Sequence, residues 1–219
     1  MRPAPDRAPR GPGVRDRVPL ACLVVFAVAW AALAIEPSYR EDWLLENLPV
    51  FLAVPPAILT YRRFRFSDRA YVQMTAFLIL HAVGAHYTYS EVPVGAWVSE
   101  LVGWSRNHYD RFVHLAFGVL LLRPVRELAF RPGREPGPWA VALLGIAAVA
   151  ALSVSYELVE WLTAIVVDPK AGTAFLGTQG DQWDAQKDMA LACGGAVLAT
   201  VLEEALARGP GGARTRAAA

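Results

Sequence analysis

Six apolar segments dominate this 219-residue chain, and together they constrain its fold more than any other feature. A helix that crosses a bilayer needs about 20 mostly apolar residues at a rise of about 1.5 Å each. Hydrophobic residues make up 55% of the chain and charged residues only 19%, so apolar side chains must face something other than water. The sequence therefore predicts an all-α, polytopic transmembrane helical bundle of about six spans. The predicted spans are Val18–Ile35, Asn47–Thr60, Ala70–Tyr89, Tyr109–Leu122, Trp139–Val167 and Trp183–Leu206.

The second and fourth segments are short, and either of them could instead be a re-entrant segment. The pair Pro55 and Pro56 predicts a kink inside the second span. Outside the spans, residues 1–17 are rich in Pro, Gly and Arg and are predicted to form a disordered basic arm. The transmembrane domain is predicted at 18–206 and a disordered cytoplasmic tail at 207–219.

Basic residues are sorted along the chain, and their distribution predicts an orientation. The N-terminal arm, YRRFRFSDR, RPVRELAFRPGR and the C-terminal tail hold 16 of the 21 Lys and Arg residues. A six-span chain places all four regions on one side, which the positive-inside rule assigns to the cytoplasm. We therefore expect a bacterial inner-membrane protein with both termini in the cytoplasm. The alternate loops carry acids: Glu36, Glu41, Asp42, Glu46, Glu91, Glu100, Asp168 and Asp181.

Ionisable side chains recur within four of the predicted spans, where charge is costly unless it is paired or hydrated. Asp110 and His114 lie at i, i+4 on one helical face, as do Asp184 and Asp188. Counting along the helices from their basic ends places most of these groups in the periplasmic half. The sequence predicts catalytic roles for Asp110, His114, Glu157, Glu160, Asp184 and Asp188. Substrate-binding roles are predicted for His81, Tyr87, Arg106, Arg111 and Lys187.

Three interpretations of these residues compete. In the first, the acids pair with basic groups and histidines and hold the helices together. In the second, they line a hydrated site that opens to the periplasm and carries chemistry. In the third, they belong to a proton or ion pathway through the bundle. The cytoplasmic halves of the spans look uniformly apolar, which argues against such a pathway. A divalent metal is also conceivable, because carboxylates and imidazole suit Zn, Mn or Mg, although no HExxH motif is present.

Three motifs carry a family resemblance: RNHYDRFVHLAFG, SYELVEW and FLGTQGDQWDAQKDMALACGGA. They resemble the bacterial inner-membrane family of the YjdF type over nearly the whole chain after the basic arm. The resemblance implies a multi-pass inner-membrane protein and supplies no activity.

A more distant similarity is to VanZ-like membrane proteins, whose pattern places an Asp-basic-x-x-His element on one helix. Asp110, Arg111 and His114 match that element, whereas Glu160 stands where the family has Gln and Ala192 where it has Asn. VanZ-like proteins are associated with glycopeptide resistance and the cell envelope. The similarity implies a lipid-linked or other amphiphilic envelope substrate. The expected partners are thus the lipid bilayer and such a substrate, with no nucleic acid; a small transporter and a non-catalytic assembly protein are the alternatives.

Overall fold

A computed structural model describes residues 16–130, 136–167 and 175–208 of the chain. Within these ranges the protein is helical and contains no strand. The helices, numbered here in chain order, are α1 (Arg17–Leu33), α2 (Arg40–Glu46), α3 (Leu48–Thr60), α4 (Asp68–His86), α5 (Pro93–Val102), α6 (Tyr109–Ala129), α7 (Pro138–Val166) and α8 (Asp184–Arg208). The predicted all-α fold class is therefore confirmed. Most of the predicted arm 1–17, most of the predicted tail 207–219 and Asp168 lie outside the described residues.

Two of the described helices are long and apolar enough to cross a membrane: α7 and the part of α8 at Asp184–Leu206. Helices α2 and α3 pass the same test as one span that is bent by 45°. Helix α1 is apolar but has 17 residues, while α4 and α6 have 19 and 21 and carry more polar groups. Length and composition thus support two spans among the described residues, or three if the bent pair is counted as one span. The total of six spans remains a prediction.

The bend between α2 and α3 lies at Asn47, whereas the sequence predicted a kink at Pro55 and Pro56, through which α3 is continuous. Asn47 is fully buried; its side-chain amide donates to the carbonyl of Trp43, and its Oδ1 accepts from Trp30 Nε1 at 2.6 Å. These bonds satisfy polar groups that would otherwise be buried without partners. The bond from Trp30 also ties the bend to α1.

Two other element boundaries differ from the sequence prediction. Helix α6 continues past Leu122 to Ala129, since Pro124 is tolerated inside it. Helix α5, which was not predicted, begins with Pro93 in its first turn and ends at Val102; it is followed by Gly103, where φ is +77°. Proline at a helix start and a left-handed glycine after its end are standard boundary signals.

Helices α6 and α8 pack against each other more extensively than any other pair among the described elements. Gly118 on α6 faces Ala192 and Ala196 on α8, and Gly195 faces the backbone of α6. Small residues at a crossing let two helix backbones approach closely. Gly195 therefore permits the close approach, whereas its neighbour Gly194 has open space beside its Cα.

The α6–α8 seam has polar groups at both ends and an apolar layer between them. The layer consists of Leu122, Val149 and Ala196, which are all fully buried, with Ala199 beside them. At one end, here called the acidic end, lie Asp110, His114, Asp184 and Asp188. At the other, here called the arginine end, Arg123 and Arg126 bind Glu203 at 2.6 and 3.1 Å, and Arg126 also donates to Thr200.

The arginine end corrects one expectation, that the halves of the spans predicted to be cytoplasmic are uniformly apolar. The sequence placed Arg123 and Arg126 in a loop because the fourth span was predicted to stop at Leu122. Since α6 runs on, Arg126 lies within the bundle with its side chain only 15% exposed, against Glu203.

Candidate functional site

The site is centred on Asp110, His114 and Asp188, whose ligand atoms all lie within 4.8 Å of one another. Asp110 and His114 are one turn apart on α6, with 3.5 Å between Oδ1 and Nε2. Asp188 comes from the facing turn of α8, close to its N-terminus. The first turns of α6 and α8 meet here, so side chains more than 70 positions apart in sequence converge.

Helix α7 adds Glu157, whose Oε1 is 3.6 Å from His114 Nε2. Asp188 and His114 are buried, and the side chains of Glu157 and Asp110 are 11% and 20% exposed. One oxygen of Glu157 and one of Asp188 are buried without a hydrogen-bond partner in the described structure. Three acids thus surround one imidazole, and among the described residues His114 is the only possible cation within 4 Å of Asp110 and Glu157.

A second group, here called the arginine clamp, borders this cluster: Arg106, Arg111, Asp181, Asp184 and Lys187. Arg106 binds both oxygens of Asp184, at 2.6 and 3.0 Å. Arg111 bridges Asp181 and Asp184 at 2.5 and 3.2 Å, and Lys187 reaches Asp181 at 2.5 Å. The clamp ties the loop before α6 to the start of α8. The terminal nitrogens of Arg106 and Arg111 are therefore engaged with acids of the same chain.

Charges of the clamp also set the titration of groups beside it. The pKa of Asp181 is held well below its usual range, mainly by the hydrogen bond from Lys187, with help from the Trp183 backbone and Arg111. The pKa of His108, just before α6, is lowered by burial and then by the nearby Arg111 and Arg106. Both groups lie outside the membrane-spanning candidates. At neutral pH, Asp181 is thus ionised and His108 is neutral.

The glycine-bearing segment before α8 docks onto the loop before α6. Gln179 Oε1 accepts from the Asn107 backbone N–H and its Nε2 donates to the Asn107 carbonyl, both at 2.9 Å. Arg106 also donates to the Thr178 carbonyl at 3.0 Å. Gly177, Gln179 and Gly180 have φ of 56°, 49° and 84°, and these left-handed conformations turn the segment back over the clamp.

A further polar layer lies on the α4 side of the acid cluster, and it contains the predicted residues His81 and Glu160. His81 Nδ1 is 2.5 Å from Tyr89 Oη, and its Nε2 is 2.8 Å from the Glu46 carbonyl. Tyr156 donates to Glu46 Oε2 at 2.9 Å, and Glu160 lies beside both. Glu46 is only 2% exposed, although the sequence had assigned it to a loop.

Two functional candidates were thus missed by sequence reasoning: Glu46 and Tyr156. Neither residue gave a signal in the sequence, because Glu46 precedes a predicted span and Tyr156 looks like an apolar aromatic. Two predicted residues lie away from the acid cluster. Tyr87 packs edge-on against His86, with ring centroids 4.4 Å apart, and Lys187 is 49% exposed.

A large cavity of about 1780 Å³ extends from the acidic cluster along the inside of α1, α3, α4, α6 and α7. Its walls are mostly apolar, and Phe77, Val113 and Phe117 are among the apolar residues that line it. The polar groups at its acidic end are His81, Tyr89, Asp110, His114, Ser153 and Tyr156. The loop that carries Arg62, Arg63 and Arg65 borders it at the arginine end. Small-molecule sites are typically about 300–1,000 Å³, so this cavity has room for a larger, mainly apolar molecule.

Comparison with known proteins places these features in a family. The family model described as "Predicted membrane protein (DUF2238)" matches residues 18–208. The inner membrane protein YjdF of Escherichia coli (strain K12) is 41% identical over 163 residues, which are 74% of this chain and 77% of that protein. No solved structure matches the chain. The resemblance to the YjdF family that the motifs indicated is confirmed, while the VanZ-like similarity stays a prediction.

Proposed function

The chain belongs to the DUF2238 family of predicted membrane proteins, and we propose that it binds and processes a lipid-linked or other amphiphilic envelope substrate in the inner membrane. The polar head of the substrate would lie at Asp110 and His114, and its hydrocarbon part in the cavity. The observation that carries this proposal is the cavity itself, because one continuous space has apolar walls and ends at a cluster of acids and imidazole.

The proposed orientation puts the acidic end on the periplasmic side. It is supported by the basic residues, since the loop before α4 and the region from the last turns of α6 onward are rich in arginine, and the positive-inside rule assigns such regions to the cytoplasmic side. In this orientation a lipid of the outer leaflet would have its head at the cluster and its chains pointing into the cavity. The bilayer thus supplies the substrate by lateral entry.

Proposed roles follow from position. Asp110 and His114 line the cavity and form the acid/base or ligand pair, and Glu157 stands behind His114 as a further base. His81 would contact the substrate, as it also lines the cavity. Arg106 positions Asp184 rather than binding the head group directly.

The rival function, a pathway through the bundle, needs polar groups or water from one end to the other. The buried layer of Leu122, Val149 and Ala196 argues against it along the α6–α8 seam. Cysteine-accessibility mapping along α6 and α7 from both sides of the membrane separates the two functions. If cysteines placed between the layer and the arginine end react with a reagent added on the periplasmic side, the result would favour a transporter.

Blocking the cavity provides a direct test of the proposed substrate class. We expect the double substitution Ala53→Trp and Ala57→Trp to reduce the amount of amphiphile that co-purifies with the protein by about tenfold or more, the equivalent of about 1.4 kcal/mol. Both alanines line the cavity on α3, one turn apart. Lipids extracted from protein purified in detergent would be identified and counted by mass spectrometry.

The matched control is Ala147→Trp with Ala151→Trp, which has the same spacing on α7 and faces outward, away from the cavity. This control should retain the wild-type amount of amphiphile. An equal loss in both double variants, or none in the cavity variant, would contradict the proposal.

The polar end is tested by His114→Ala and Glu157→Gln. We expect each to abolish function in a cell-envelope complementation assay while the protein accumulates in the membrane at normal levels. The physical reason is that these groups act on the substrate head rather than hold helices together. Loss of membrane accumulation in both variants would instead assign them a structural role. Trp97→Phe serves as a control, because this side chain is 62% exposed and belongs neither to the cavity lining nor to the acid cluster.

A further inference from the structure

We propose that Asp110, His114 and Asp188 bind one divalent transition-metal ion, Zn²⁺ or Mn²⁺, with Glu157 as a neighbouring fourth ligand. This inference goes beyond the proposed function, since an ion can bind here whether or not an amphiphile does.

The spacing of the ligand atoms fits an ion. At metal–ligand distances of about 2.1 Å, two ligands in a tetrahedral arrangement are about 3.4 Å apart. His114 Nε2 is 3.5 Å from Asp110 Oδ1 and 3.6 Å from Glu157 Oε1. These separations exceed ordinary hydrogen-bond lengths, so the imidazole nitrogen lies near both carboxylates without bonding to either. The ligand atoms of Asp110, His114 and Asp188 all lie within 4.8 Å of one another, and Glu157 lies outside that group, beside His114.

Asp188 supplies an independent indication. The residue is only 2% exposed, and its Oδ1 is buried without any hydrogen-bond partner in the described structure. A buried, unpartnered carboxylate oxygen is costly, and a cation is the most effective way to satisfy it. Glu157 Oε1 is in the same condition on the other side of His114.

The positive charges nearby do not meet this need, because they are paired with other acids. Arg106 binds Asp184 through two bonds, and Arg111 binds Asp181 and Asp184. Asp110, Asp188 and Glu157 therefore present three carboxylates to one imidazole. A single protonated imidazole carries only one positive charge, so a divalent cation balances this group of carboxylates better.

The ligand types select the class of ion. Imidazole suits Zn²⁺ and its neighbours, whereas carboxylates alone would suit Mg²⁺ or Ca²⁺. A set of one imidazole with two or three carboxylates is suited to Zn²⁺ or Mn²⁺. Because Asp110 and His114 also line the cavity, the ion would be accessible to a molecule held there.

The test is metal retention by the whole protein. The chain is purified in detergent through an affinity tag without histidines, stripped with EDTA, incubated with Zn²⁺ or Mn²⁺ and desalted. Metal is then counted by inductively coupled plasma mass spectrometry. We expect one ion per chain in the wild type and loss of nearly all of it in Asp188→Asn and His114→Gln. Glu157→Gln should weaken binding about 10–100-fold, in the range seen for supporting groups around metals.

Matched controls are His86→Gln and Asp68→Asn, which remove the same chemical groups elsewhere. His86 bonds to the Leu33 carbonyl, and Asp68 is a largely exposed partner of Arg65. Both should keep one ion per chain. Equal retention in Asp188→Asn and the wild type would overturn the proposal, as would the absence of stoichiometric metal in the wild type.

A spectroscopic measurement keeps the test decisive if a variant fails to fold. Co²⁺ added to the unaltered wild type should produce visible ligand-field bands that saturate at one equivalent and vanish when Zn²⁺ is added. A spectrum indistinguishable from that of Co²⁺ in buffer would also overturn the proposal. Metal is measured after delipidation, so a failure here is separate from a failure of amphiphile binding.

Discussion

Gly195→Ala is expected to destabilise the folded protein by about 1–3 kcal/mol, whereas Gly194→Ala, one position earlier, is expected to be neutral or slightly stabilising. A Cβ at residue 195 would lie 3.0 Å from the backbone nitrogen of Val119 and 3.2 Å from Gly118 Cα, and closer still to the Leu115 carbonyl. These are backbone atoms of α6, which can yield only if the two helices separate. The same methyl group at residue 194 meets nothing within 4 Å.

The pair is a sharp test because both substitutions change helix propensity alike. Alanine gains about 0.5–1 kcal/mol over glycine inside a helix, so only packing separates the two variants. Thermal unfolding in detergent, followed by tryptophan fluorescence and by size-exclusion chromatography, measures the difference. Equal stability of the two variants would show that α6 and α8 do not cross at Gly118 and Gly195.

Arg106→Met is expected to destabilise the protein by about 3–5 kcal/mol, the typical cost of removing one partner from a buried ion pair. The Arg106 and Asp184 side chains are only 9% and 5% exposed, and Arg106 holds both carboxylate oxygens. Without it, Asp184 keeps only Arg111, at 3.2 Å. Arg106→Lys should rescue little, because an ammonium group cannot reproduce the two parallel bonds.

A double-mutant cycle distinguishes the ion pair from simple loss of packing. Arg106→Met combined with Asp184→Leu should be less destabilised than Arg106→Met alone, since no uncompensated charge remains. The comparison pair is Arg65 and Asp68, where Asp68 is 54% exposed. Asp68→Asn should change stability by no more than about 1 kcal/mol, as for exposed pairs in general. An additive cycle at Arg106 and Asp184 would contradict the clamp.

The sequence was a good guide where a single helix carries the information. Asp110 and His114 could be placed on one face because four residues make about one turn. The long apolar runs of α7 and α8 indicated a membrane protein because each is long enough to cross a bilayer as one helix. Gly195 could be expected at a close crossing because small residues are common there.

What the sequence could not supply is the pairing between distant segments. Glu46 looked like an exposed acid of a loop, and only the bend at Asn47 turns it towards Tyr156. Arg126 looked like a loop residue because the fourth span was predicted to stop at Leu122, whereas α6 continues to Ala129. The partners of Arg106 lie more than 70 positions away, and no periodicity within either segment encodes their contact.

The buried layer of Leu122, Val149 and Ala196 has an electrical consequence. Because its side chains are apolar and fully buried, the layer is a low-dielectric barrier along this seam, and moving one charge through 100 mV changes the energy by about 2.3 kcal/mol. An ion that reaches Asp110 and Asp188 from the acidic end does not cross the layer. Its occupancy should therefore be the same in energised and de-energised membranes, set by the ion concentration on one side alone.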